Sequence, residues 1–138
     1  MSYIIPLIGY NSPPLSLNQR AHWAKTRSAA QKLAGEVIRS ANVVKLPKGL
    51  ERVHVTLHWA PAVERQRDDD NPAPTVKAAA DALVRYGLVS SDDHRVMTRS
   101  VQIHAVDKMP PLHFYGKGMR QPARLWLSVD DLTQAGAV

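Results

Sequence analysis

The hydrophobic period of the chain changes as it is read. From residue 53, Val53, Val55, Leu57 and Trp59 alternate with His54, Thr56 and His58, the two-residue period of a strand buried on one side. Upstream, between Leu17 and Ala41, the residues Ala30, Leu33, Ala34, Val37, Ile38 and Ala41 follow the i, i+3, i+4, i+7 spacing of an amphipathic helix. Asn18 and Thr26 each qualify as its N-cap. Tyr3 to Leu7 reads as a short strand, followed by the turn Asn11-Ser12-Pro13-Pro14. Beyond Pro72 and Pro74, the stripe Val76, Ala80, Leu83 and Val84 predicts a second helix, with Gly87 after Tyr86 as its C-cap. Val101, Ile103 and Ala105 then alternate with Ser100, Gln102 and His104, and Leu125, Leu127 and Val129 with Arg124, Trp126 and Ser128. The order β-α-β-α-β-β predicts an α+β fold: a small mixed sheet with two helices packed on one face and a polar opposite face.

With 138 residues and no repeat or long linker, the chain is expected to form one domain spanning 1–138. The absence of cysteine excludes a disulfide framework, an iron–sulfur cluster, a thiolate zinc site and a thiol nucleophile. Tyr3 to Ile8 is too short and too weakly flanked for a secretion signal or a membrane span, so a soluble protein of a reducing, cytoplasmic compartment is expected.

Eighteen Lys and Arg against twelve Asp and Glu give a net charge of +6, which suits a polyanion partner or simple solubility. The distribution is more telling. Residues 1–63 hold eight basic side chains and only two acids, Glu36 and Glu51, whereas Asp68, Asp69, Asp70, Asp81, Asp92 and Asp93 fall within 26 residues. Carboxylates repel a phosphate ligand unless a cation inverts the local charge, so this island points to a bound cation. If the segment Arg67-Asp68-Asp69-Asp70-Asn71 is extended, Asp68 and Asp70 project to one side and offer hard oxygen ligands, which select Mg²⁺ or Mn²⁺ over zinc.

Asp92 and Asp93 lie beyond a helix about 15–18 Å long. To join the first pair, their loop must fold back, which a strand lying beside the 53–59 strand would permit. The alternative reading makes Asp70-Asn71 a helix cap and Asp92-Asp93 a solvated turn. Lys77 and Asp81 are spaced to pair on the second helix, or Lys77 faces a reacting phosphate. His94 is a candidate general base or an incidental loop residue. His54 and His58, about 13 Å apart along a strand, cannot share a metal. Lys25, Lys32 and Arg39 form a basic stripe opposite the apolar face of the first helix, suited to phosphates or to solvent.

Three blocks together, Arg67-Asp68-x-Asp70-Asn71, Lys77-x-x-x-Asp81-Ala82-Leu83 and Gly87-x-x-x-x-Asp92-Asp93, resemble the core of the RusA-type Holliday-junction resolvases, endonucleases common in bacteriophages and prophages. Asn18-Gln19-Arg20-x-His22-Trp23 resembles the N-terminal segment of phage members, and Val106-Asp107-Lys108-Met109-Pro110 the strand end before the family's last hairpin. The resemblance covers most of the chain, with its specific part at Arg67 to Asp93. Pro72-Ala73-Pro74 lengthens the interval from Asn71 to Lys77 relative to the family pattern, and the 109–124 loop is longer than in compact members.

The resemblance implies a RusA-like endonuclease domain that makes symmetric, Mg²⁺-dependent incisions in four-way DNA as a homodimer, serving recombination or repair in a bacterial host cell. It implies that Asp68, Asp70 and Asp93 hold the metal, with Asp92 and Asp81 as further acids of the pattern, and that Lys77 is catalytic. Under that reading Arg20, Lys25, Lys32, Arg67, Lys117 and Arg120 contact DNA phosphates. A nuclease for other branched or flap substrates and an inactive DNA-binding accessory protein remain the competing expectations.

Overall fold

A computed structural model describes residues 2–10, 12–15, 23–61, 72–104 and 125–133. Its elements are β1 (Ser2–Pro6), α1 (Trp23–Val43), β2 (Val53–Trp59), α2 (Ala73–Tyr86), β3 (Met97–Ile103) and β4 (Leu125–Asp131). The chain is a small mixed α+β structure. Its four strands lie in the order β1-β4-β2-β3, with β2 and β3 parallel and the other two pairings antiparallel.

The register puts Ile5, Leu127, Leu57 and Val101 in one row across the sheet, and Tyr3, Val129, Val55 and Arg99 in the next. Alternation therefore directs Tyr3 and Ile5 of β1, Leu127 and Val129 of β4, and Val55 and Leu57 of β2 to a single face. Both helices cover that face: Leu33, Val37 and Ala41 of α1 and Val76, Ala79, Ala80 and Leu83 of α2 join Ile5, Val55, Leu57, Leu127 and Val129 in one core. Two tethers fix the packing at its edges. The Ser40 hydroxyl donates to Pro6 O at 2.8 Å, and the buried Thr75 hydroxyl donates to Leu15 O at 2.7 Å while accepting from Leu15 N at 2.9 Å.

Helix α2 begins at Ala73. Pro72 occupies the N-cap position and Pro74 stands in the first turn, where a missing N–H costs nothing. Asp70 and Asn71, the residues of the capping reading, lie outside the described residues. Gly87 ends the helix as predicted: its φ of 104° suits glycine, its N–H reaches Leu83 O and Val84 O, and Leu88 N bonds to Leu83 O at 3.1 Å.

Three expectations are corrected. Helix α1 starts at Trp23, so Thr26 lies inside its first turn and is not its cap; Asn18 lies outside the described residues. Strand β3 begins at Met97, not near Ser100, and Ala105 lies outside the described residues. Of β3 only Met97 is buried, so Val101 and Ile103, read as its apolar alternation, are exposed.

The opposite face is not purely polar either. Trp126, expected to be solvated there, is 2% exposed. His58 and Trp126 stack with their rings 1° from parallel, and His104 stacks on both. Among the described residues no helix is long and apolar enough to cross a membrane.

Candidate functional site

The parallel pairing of β2 and β3 requires the chain to return along the sheet after α2, and the segment after Gly87 makes that return. Gly49 N bonds to Gly87 O and Leu50 N to Leu88 O, while the Leu88 and Val89 side chains are buried. The segment then passes beside α2, so that the Asp92 carboxylate accepts a hydrogen bond from the Lys77 ammonium. The same ammonium donates to Asp81 Oδ1 at 2.9 Å, one helical turn along. Lys77 is thus held between two carboxylates from separate segments. Its pKa is raised, first by the Asp92 hydrogen bond and then by that to Asp81. Asp92 is held below the usual carboxylate range, chiefly by Lys77.

Asp93 faces a different partner. Its Oδ1 accepts the Arg95 backbone N–H at 2.8 Å, and its two oxygens accept Arg95 Nε and Nη2 at 3.1 Å each. This fork lowers the Asp93 pKa, with the Arg95 side chain as the larger cause and the backbone N–H next. Asp93 O also accepts Val96 N and Met97 N, which turns the chain into β3. His94 is exposed, with Nδ1 3.6 Å from Asp93 Oδ1. Of the two adjacent aspartates, Asp92 therefore meets Lys77 and Asp93 closes the turn.

Beside Lys77 lies an open hollow of about 430 Å³ between the first turns of α2 and the inner side of β3, lined by Ala73, Pro74, Val76, Lys77, Arg99 and Val101. Two cations, Lys77 and Arg99, thus flank a recess with an apolar floor. Arg99, missed in the sequence because β3 starts earlier than its apolar alternation, also lowers the Asp92 pKa slightly through its charge.

The other predicted site residues divide plainly. Asp68, Asp70, Arg67, Asn71, Arg20, Lys117 and Arg120 lie outside the described residues. Lys25 and Lys32 are exposed on the outer side of α1, and Arg39, the third member of that stripe, pairs with Glu36 at 2.6 Å. Among the described residues no group of three or more acids, histidines or cysteines converges as a metal site. The described part thus contributes an acid–cation cluster at Lys77, and two of the three expected metal ligands, Asp68 and Asp70, lie outside it. No protein-family model matches the chain, and comparison with curated proteins finds no match either.

Proposed function

We propose that the protein is a Mg²⁺-dependent endodeoxyribonuclease that cuts branched DNA, four-way junctions above all, as a homodimer. One observation carries the reading: the chain folds back after α2 to place Asp92 against Lys77, so that the helix and the loop beyond it share one charged site, with Asp93 next to it. The ordered blocks from Arg67 to Asp93, which resemble the RusA-type resolvases, support it from the sequence side.

The donor chemistry fits a hard divalent ion, since the acids of this region are all aspartates. Asp68, Asp70 and Asp93 would hold it, with Asp92 and Asp81 beside them. When bound, the ion supplies charge neutralisation at the scissile phosphate and a more acidic water.

The chain's own groups do the rest. The Lys77 ammonium, kept protonated by Asp92 and Asp81, places fixed positive charge where negative charge grows on the phosphate. Arg99 across the hollow adds a second cation with a planar donor fork for a non-bridging oxygen. Asp81 and Asp92 orient the ammonium, and their release of it to a phosphate is the exchange that admits the strand. A two-fold dimer presenting two such sites matches the two equivalent strands of a four-way junction.

A cleavage assay tests the reading. A labelled mobile four-way junction and a linear duplex of the same sequence are incubated with and without Mg²⁺. Paired nicks in the junction only, abolished by Asp70→Ala, are expected. Equal cutting of the duplex shifts the reading to a less selective nuclease, and no Mg²⁺-dependent product removes the enzyme.

A further inference from the structure

Helices α1 and α2 leave a groove of about 240 Å³ between them, lined by Arg27, Gln31, Ala34, Ala78, Asp81 and Arg85. Its floor is alanine, so the two backbones approach closely and the long side chains stand at its rims. Arg27 and Arg85 reach it from opposite helices. Both are exposed, and among the described residues neither has an ion-pair or hydrogen-bond partner, in contrast to Arg39 with Glu36 and Arg95 with Asp93. The one acid in the groove, Asp81, stands four residues from both Lys77 and Arg85 on α2, and its hydrogen bond goes to Lys77. Two arginines therefore line one recess with no anion among the described residues paired to them.

Like charges placed together cost free energy unless an anion joins them, and planar guanidinium forks match phosphate oxygens. Asp81 links the groove to Lys77, so a polyanion lying in the groove runs directly to the candidate site. Lys25 and Lys32 point away from this groove, because they lie two residues from Arg27 and one from Gln31 on a helix that turns 100° per residue.

We infer that the α1/α2 groove is a phosphodiester-binding track, in which Arg27 and Arg85 together grip the backbone of the DNA strand that reaches Lys77. The inference rests on the nucleic-acid reading above, and commits to the phosphate backbone rather than to bases, since no aromatic ring among the described residues lines the groove.

The test is the salt dependence of junction binding without Mg²⁺, by fluorescence anisotropy of a labelled four-way junction. Each phosphate neutralised contributes about 0.9 to the slope of log affinity against log salt. The double variant R27A/R85A should lower that slope by about 1.8 for each protomer engaged, so that dilution from roughly 200 to roughly 50 mM salt strengthens wild-type binding about twelvefold more than the variant's per engaged protomer.

The lysine pair R27K/R85K should keep most of the slope, and circular dichroism checks that each variant is folded. Should alanine disturb α1/α2 packing, R27Q/R85Q replaces it with side chains of similar reach. A slope unchanged in the neutral variants overturns the track while leaving the nuclease standing. Binding with the expected slope loss but no Mg²⁺-dependent cutting upholds the track and removes the enzyme. A wild type that binds no DNA removes both.

Discussion

Acid should weaken this fold through one histidine. His58 sits on the sheet face away from the helices, stacked on Trp126, with Nδ1 3.0 Å from His104 Nε2 and Nε2 2.8 Å from Ser128 Oγ. Its pKa is pushed down to about 4, first by burial and then by repulsion from His104, with Asp130 opposing. His104 is lowered as well, by burial.

A histidine with a depressed folded pKa binds its proton in the unfolded chain first. The stabilisation is therefore complete above the unfolded value near 6.5 and is lost as pH falls from there to about 4. At about 1.36 kcal/mol per pH unit, that interval sets an upper limit of about 3.4 kcal/mol. His58 is only half-buried, so solvent screening leaves about 1–2 kcal/mol.

The assay is urea unfolding of wild type and His58→Phe at about pH 7.5 and about pH 4.5, with the aromatic ring keeping the stack on Trp126. The wild type should lose about 1–2 kcal/mol more than the variant across that range, the aspartates contributing equally to both. Equal losses, or an NMR titration of His58 near 6.5, refute the reasoning.

Other outcomes follow from the same structure. Lys77→Ala should reduce turnover on a four-way junction by roughly a hundredfold. Because its ion pairs are exposed, the same variant should unfold within about 1 kcal/mol of wild type in urea. Leu57→Ala, fully buried at the centre of the sheet, should cost about 3–4 kcal/mol by the same measurement. Gly87→Ala finds room beside Lys48 but must adopt a φ of 104°, and should cost about 1–3 kcal/mol. Thr75→Val, which strands the Leu15 N–H and carbonyl, should cost about 1–3 kcal/mol and loosen residues 12–15 in hydrogen exchange.

Much of this architecture was legible where burial is one-sided. The alternation of 53–59 and the stripe ending at Gly87 have clear periods because one face of β2 and one of α2 meet the core. Strand β3 was harder to read: as an outer strand in this sheet it is exposed beyond Met97, so Thr98, Arg99 and Ser100 carry no apolar alternation. Trp126 misled in the other direction, because it stacks with His58 of β2 and with His104 just past β3, contacts that no local pattern shows. At the site, the Lys77–Asp81 pair follows from helical spacing alone. Which of two adjacent aspartates meets Lys77 does not, since it depends on Arg95, two residues on, capturing Asp93 in a turn.

The strand order has a consequence for how the molecule is made. β4 is the last of the described strands to be synthesised, yet it lies inside the sheet, between β1 and β2. Until it emerges from the ribosome, Ser2–Pro6 lacks the strand it pairs with here, and so does one flank of β2. A nascent chain stalled before residue 125 thus offers two sticky edges to other chains, and chaperone demand should peak in that interval.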